Sequence, residues 1–183
     1  MMRGLVLCAA LVFSAVATPA AKARIVDQAA NGFTVENSQW VPTDPAASWK
    51  ALVDDVGKWW PADHTWWGDA SKLSISPEAG GCFCEMDGTR QAWHMTVVFV
   101  DPGKTLRMAG GLGPLQGMGL SGALEWRFAE EKGGTRITLW YRAGGYAPDD
   151  LGKFVPVIDQ VQGLQLGGLA DYLRKQAALY PGY

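Results

Sequence analysis

The run Leu120-Ser121-Gly122-Ala123-Leu124-Glu125-Trp126-Arg127-Phe128-Ala129-Glu130-Glu131-Lys132-Gly133-Gly134-Thr135-Arg136-Ile137-Thr138-Leu139-Trp140-Tyr141-Arg142 alternates with period two on both sides of a glycine turn. Leu120, Leu124, Trp126 and Phe128 share one face, and Ser121, Glu125 and Arg127 share the other. Beyond Lys132-Gly133-Gly134, Ile137, Leu139 and Tyr141 continue the apolar face while Arg136, Thr138 and Arg142 look outward. Such a pair reads as an antiparallel hairpin with one face in a core and one in water. Its apolar face needs a cover. Residues 149–178 supply one, being helical in pattern, with Leu151, Phe154, Val155, Ile158, Val161, Leu166, Leu169 and Tyr172 near one stripe. Gln162 and Gln165 border that stripe. Pro156 and Gly163, Gly167 and Gly168 are expected to weaken or bend the helix.

Working back toward the N-terminus, the period is again two over residues 72–76, 82–86, 91–100 and 105–109. Asp101-Pro102-Gly103-Lys104 is a tight turn in which proline presets φ and glycine tolerates a positive one. Residues 110–119 form a glycine-rich loop carrying Leu112, Leu115 and Met118. Residues 32–41 make a first strand. Asp44 then caps a helix over 46–56, with Pro45 at the first helical position. Trp49, Leu52, Val53 and Val56 give that helix its buried face, Gly57 ends it, and Lys58-Trp59-Trp60 starts a short second helix that Pro61 cuts off.

Residues 1–23 read as a secretory leader. Arg3 is the basic start, residues 5–16 the apolar stretch, and Ala21-Lys22-Ala23 a small-x-small cleavage site before Arg24. The apolar stretch, about a dozen residues, is short of the roughly 20 that a membrane span needs. Cys8 lies too early, and after too bulky a residue, for a lipoprotein. Residues 24–183 then form one domain without a linker, a repeat or a membrane span, placed in the periplasm or outside the cell. The chain carries 16 basic and 18 acidic residues, and loss of Arg3 and Lys22 takes the net charge from −2 to −4. With no cluster of lysine and arginine, nucleic acid is excluded as the expected partner.

The order of elements, and several short motifs, resemble the helix-grip fold of START and pollen-allergen-like proteins, the SRPBCC superfamily. The motifs are Trp59-Trp60-Pro61, Gly80-Gly81-x-Phe83, Asp101-Pro102-Gly103-Lys104-x-Leu106 after Val97, Gly133-Gly134-Thr135-Arg136-Ile137 leading to Tyr141, and Gly145-Tyr146. The likeness runs over nearly all of residues 32–178. It implies an α+β fold in which a curved antiparallel sheet of six to seven strands wraps a long C-terminal helix, with one or two short helices after the first strand. It also implies an apolar cavity, since members bind lipids, sterols or polyketides, and some are polyketide cyclases. Fold alone does not assign a reaction.

Candidate chemistry gathers at Gly80-Gly81-Cys82-Phe83-Cys84-Glu85. Cys82 and Cys84, two apart on a strand, point the same way. Either an oxidising compartment joins them in a disulfide open to a redox role, or they stay as thiols that only pack. By the resemblance Phe83 faces inward, which puts both cysteines outward and Glu85 inward. In an apolar pocket Glu85 would serve as a general acid or base, with His94 as its companion. His94 alternates with Trp93, Met95, Val97 and Phe99, which look like the inward set, so its own parity is ambiguous, an outward, solvated histidine being the more frequent outcome of such a pattern. Cys82, Cys84, His64 and His94 lack the spacing of a metal knuckle, and no metal or cofactor is expected. The expected function is that of an exported protein that binds a small apolar or amphipathic molecule in an internal cavity. The pocket is assigned to Trp60, Trp67, Phe83, Glu85, Leu112, Leu115, Met118, Tyr141, Phe154, Ile158, Gln162 and Gln165. The alternative is a cyclase- or hydrolase-type enzyme using Glu85.

Overall fold

The hairpin of alternating residues forms as read. In the computed structural model, which describes residues 22–148 and 150–180, β7 (Ser121–Glu131) pairs antiparallel with β8 (Gly134–Gly144). Leu124 sits opposite Tyr141, Trp126 opposite Leu139 and Phe128 opposite Ile137, and all six are buried. Lys132 and Gly133, with φ of 53° and 74°, make a two-residue turn whose twist suits the strands it joins.

Around this hairpin lie β1 (Lys22–Ala29), β2 (Gly32–Val41), β3 (Leu73–Ile75), β4 (Cys82–Asp87), β5 (Arg90–Asp101) and β6 (Thr105–Gly110). All belong to one curved antiparallel sheet in the order β1-β2-β8-β7-β6-β5-β4-β3. Among the described residues eight strands replace the expected six to seven. The addition is β1, whose residues from Arg24 onward are exposed and whose pairing with β2 slips between Ile25 and Asp27. A strand that buries neither face leaves no alternation to read. The leader expected over residues 1–23 lies outside the described residues except for its last two positions.

Among the described residues four α-helices accompany the sheet: α1 (Pro45–Asp54), α2 (Val56–Trp59), α3 (Pro114–Gly117) and α4 (Val155–Leu179). The Asp44 carboxylate accepts the Ala47 N–H at 2.8 Å, with Pro45 in the first turn. Gly57 does not end a helix, as expected from sequence, but lies inside α2. A Cβ there would stand 2.9 Å from the Ala70 carbonyl oxygen, so glycine lets the 70–72 turn close against α2. At Gly168 a Cβ would come within 2.4 Å of the Trp59 carbonyl oxygen. The glycine expected to weaken α4 is thus where α2 and α4 approach backbone to backbone.

α4 begins later than the sequence suggests. Leu151–Lys153 makes a separate single turn capped by Asp150, and Pro156 falls in the first turn of α4, where its missing N–H leaves no bond unmade. The helix packs across β1 and β2. Asn37 Nδ2 donates to Asp159 Oδ1 at 3.0 Å, and Arg174 donates to Gln39 and to the Trp40 carbonyl. Close to Arg174, Tyr172 donates to Asp55 at 2.9 Å, tying α4 to the α1–α2 junction. Leu166, Leu169, Ala170 and Leu173 meet the core, which also contains Trp59, Trp60 and Trp126. No described helix is long and apolar enough to cross a membrane.

Candidate functional site

Between α4 and the sheet the core stops short, leaving a cavity of about 470 Å³. Phe83 on β4 and Tyr141 on β8 form its sheet side. Leu112, Leu115 and Met118, from the loop holding α3, close one flank, and Trp60 with residues 63–66 closes the other. Phe154, Ile158, Gln162 and Gln165 face it from the start of α4 and the residue before it. Ten of the twelve expected lining residues are therefore together. The Trp60 ring packs edge-on against Phe83 at 5.1 Å. Trp66, Met118, Phe154 and Val157 line the cavity and are also exposed, giving it an apolar mouth.

Trp67 and Glu85 are the two corrections. Trp67 turns away and lies under the Arg90 guanidinium, 5.2 Å from its ring centre; its neighbour Trp66 takes the expected place. Trp66 and Trp67 stand side by side in a loop of irregular backbone, so no period distinguishes them. Glu85 is fully buried and does not line the cavity. Its Oε2 accepts the Trp66 N–H at 3.0 Å and its Oε1 the Trp67 N–H at 3.1 Å. The carboxylate thereby holds the loop that walls the cavity.

His94 is turned inward by an irregularity in pairing. Phe83 pairs with Met95 and Cys84 with Trp93, so His94 is an extra residue on β5, a β-bulge. The bulge resets the alternation: Trp93 is 50% exposed, whereas His94 is 7% and Met95 1%. The outward histidine considered from sequence is not found. A second slip, between Val97 and Phe99, leaves Phe99 outside as well.

His94 lines the cavity, and its Nε2 lies 3.3 Å from Glu85 Oε2. Burial pushes the imidazole below its ordinary value, outweighing the hydrogen bond and charge of Glu85, which act the other way. The ring is thus neutral at pH 7. Since the Glu85 oxygens already accept backbone N–H groups, Nε2–H donates and Nδ1 is left as an acceptor. Tyr141 donates to the Gly110 carbonyl at 3.1 Å and accepts the Leu112 N–H at 3.2 Å, which fastens the α3 loop. Burial pushes its phenol up to about 12, against the pull of the Leu112 N–H.

Two buried polar atoms of the lining residues have no partner among the described residues: His64 Nδ1 and Gln162 Oε1. An unmet buried acceptor or donor costs about 1–3 kcal/mol. His64, which sequence offered only as a metal ligand, is thus a wall residue. Cys82 and Cys84 are joined in a disulfide, Cα–Cα 5.4 Å, with Cys84 buried and Cys82 half-buried. Among the described residues no three His, Cys, Asp or Glu side chains are placed to hold a metal ion.

No protein-family model and no curated protein matches this chain. Solved structures do. The Aha1 dimer from Colwellia psychrerythraea aligns with TM-score 0.55 at 16% identity, covering 77% of this chain and 96% of that one. A protein of unknown function from Staphylococcus aureus aligns with TM-score 0.58 at 13% identity, covering 81% and 97%. Ara h 8.0201 aligns with TM-score 0.50 at 16% identity, covering 79% and 99%. At these identities the likeness is one of fold, the helix-grip arrangement of a curved sheet and a C-terminal helix.

Proposed function

We propose that this protein is exported and binds a small apolar or amphipathic molecule inside its cavity. The observation that carries the reading is the cavity of about 470 Å³ between α4 and the sheet, walled mainly by aromatic and aliphatic side chains. That volume, with a few polar groups among apolar ones, is typical of a small-molecule site. The apolar mouth supports the same reading, because entry of an apolar molecule needs an apolar path. Export rests on the leader pattern of residues 1–23, and the disulfide accords with an oxidising compartment.

The test is direct. Protein purified without detergent is extracted into organic solvent, and the intact complex is weighed by native mass spectrometry. A stoichiometric small molecule is the expected result. An empty protein that also fails to bind an apolar fluorophore such as N-phenylnaphthylamine would rule the reading out. For export, the full chain made with its own leader should yield a product beginning at Arg24; an intact Met1 in the cytoplasmic fraction would overturn that part.

The Glu85–His94 pair favours a second reading, in which the bound molecule is also turned over. In it His94 moves the proton and Glu85 is a positioning residue. Once a ligand is identified, His94→Gln should keep its affinity within about threefold and abolish any turnover.

A further inference from the structure

The polar inventory of the cavity constrains what can sit in it. Gln162 Nε2 donates to Gln165 Oε1 at 3.0 Å, which leaves Gln162 Oε1 without a donor. The Gln165 amide nitrogen, likewise, has no acceptor among the described residues. Turning both amides over exchanges their roles and keeps the inventory: one carbonyl oxygen and one NH₂ group unfilled. His94 adds Nδ1, and His64 a buried Nδ1 with no partner.

Charge is what the lining lacks. Neither lysine nor arginine lines the cavity, and its one carboxylate, Asp63, is exposed. An ionised acid would lose its water among acceptors and find no cation. An ammonium would find only the exposed Asp63 and would otherwise be stripped of water among neutral groups. A neutral head that donates as well as accepts meets neither penalty and fills the open positions.

We propose that the cavity selects a neutral donor–acceptor head, a primary carboxamide or a hydroxyl, on an apolar body, and that Gln162 and Gln165 make the selection. This rests on the cavity being a binding site, as proposed above. It adds a chemical class of ligand and the residues that distinguish it.

The test is a competition series against N-phenylnaphthylamine at neutral pH with probes of one chain length. These are dodecanamide, dodecanol, dodecyl methyl ether, dodecanoate and dodecylammonium. The amide and the alcohol should displace the dye at concentrations about tenfold below those needed by the ether, which cannot donate, and by the two ions. In Gln162→Leu/Gln165→Leu the gap between amide and ether should close, each competitor being read against the dye affinity of the variant itself. An ether, acid or amine that matches the amide in the unaltered protein overturns the proposal, and so does an undiminished amide preference in the folded double variant. If that variant does not fold, the series on the unaltered protein decides alone. Failure of the dye itself to bind removes the cavity reading, whereas dye binding without head-group preference removes this inference only.

Discussion

Glu85 and Glu125 stand on one sheet and are both buried, yet they are satisfied in opposite ways. Glu85 is held by the backbone N–H groups of Trp66 and Trp67 and lies beside a buried histidine. Glu125, on the outer face of β7, is bonded by Arg107 and Arg127, whose side chains are 42% exposed. Arg107 also lies over Phe99, and Arg127 over Trp140. The partners of Glu125 can retreat to water when it is lost; those of Glu85 are built into a loop. How much a buried carboxylate matters therefore depends on whether its partners have an alternative.

Five measurements would break or sharpen that contrast. The largest effect should come from Glu85→Ala, which leaves two backbone donors and His94 Nε2 unpaired; urea unfolding should show a loss of about 3 kcal/mol. Dye binding should weaken along with it, because Trp66 lines the cavity. A loss below about 1 kcal/mol would make the two carboxylates equivalent. The double substitution Cys82→Ser/Cys84→Ser opens a very short loop, so it should cost only about 1–2 kcal/mol, compared under non-reducing conditions.

Glu125→Gln should cost about 1 kcal/mol, the scale of exposed ion pairs, and most of that should vanish in high salt, unlike the effect at Glu85. Acid should separate the two regions as well. Burial pushes the Glu125 carboxyl up, but the hydrogen bonds and charges of Arg107 and Arg127 win and hold it below its ordinary value. Its contribution is complete above the unfolded value of 4.5 and is lost as the pH falls through the lower folded one. His94, also lowered, contributes fully above 6.5 and loses that contribution as the pH falls toward its folded value. Stability measured against pH should accordingly begin to fall below about 6.5, and His94→Gln should remove that first step while leaving the one below 4.5. Last and smallest, an ultraviolet titration of the tyrosines should show one phenol ionising near 12, absent in Tyr141→Phe.

The hairpin of β7 and β8 was legible because its pattern is two-sided, apolar inward and charged outward, over many residues. The Asp44-Pro45 helix start was legible because a cap is local chemistry. Most cavity residues were found too, from Trp60 and Phe83 to Gln165, since they sit on elements whose inward face the pattern marks. β1 was missed because, exposed on both faces, it has no pattern. Trp66 was passed over for Trp67 because they lie in a loop, where position in the chain does not set direction.

What the residues determined by themselves is the periodicity: where alternating strands and amphipathic helices form, and which face of each is mainly apolar. That follows from side-chain alternation at 2 and 3.6 residues, a property of the chain alone. Tertiary structure decided the site. The bulge that turns His94 inward exists only in the pairing of β4 with β5, and Glu85 became a loop anchor because two main-chain N–H groups, which carry no residue signature, came within its reach. The unfilled amide groups of Gln162 and Gln165 likewise have meaning only once a cavity lies before them.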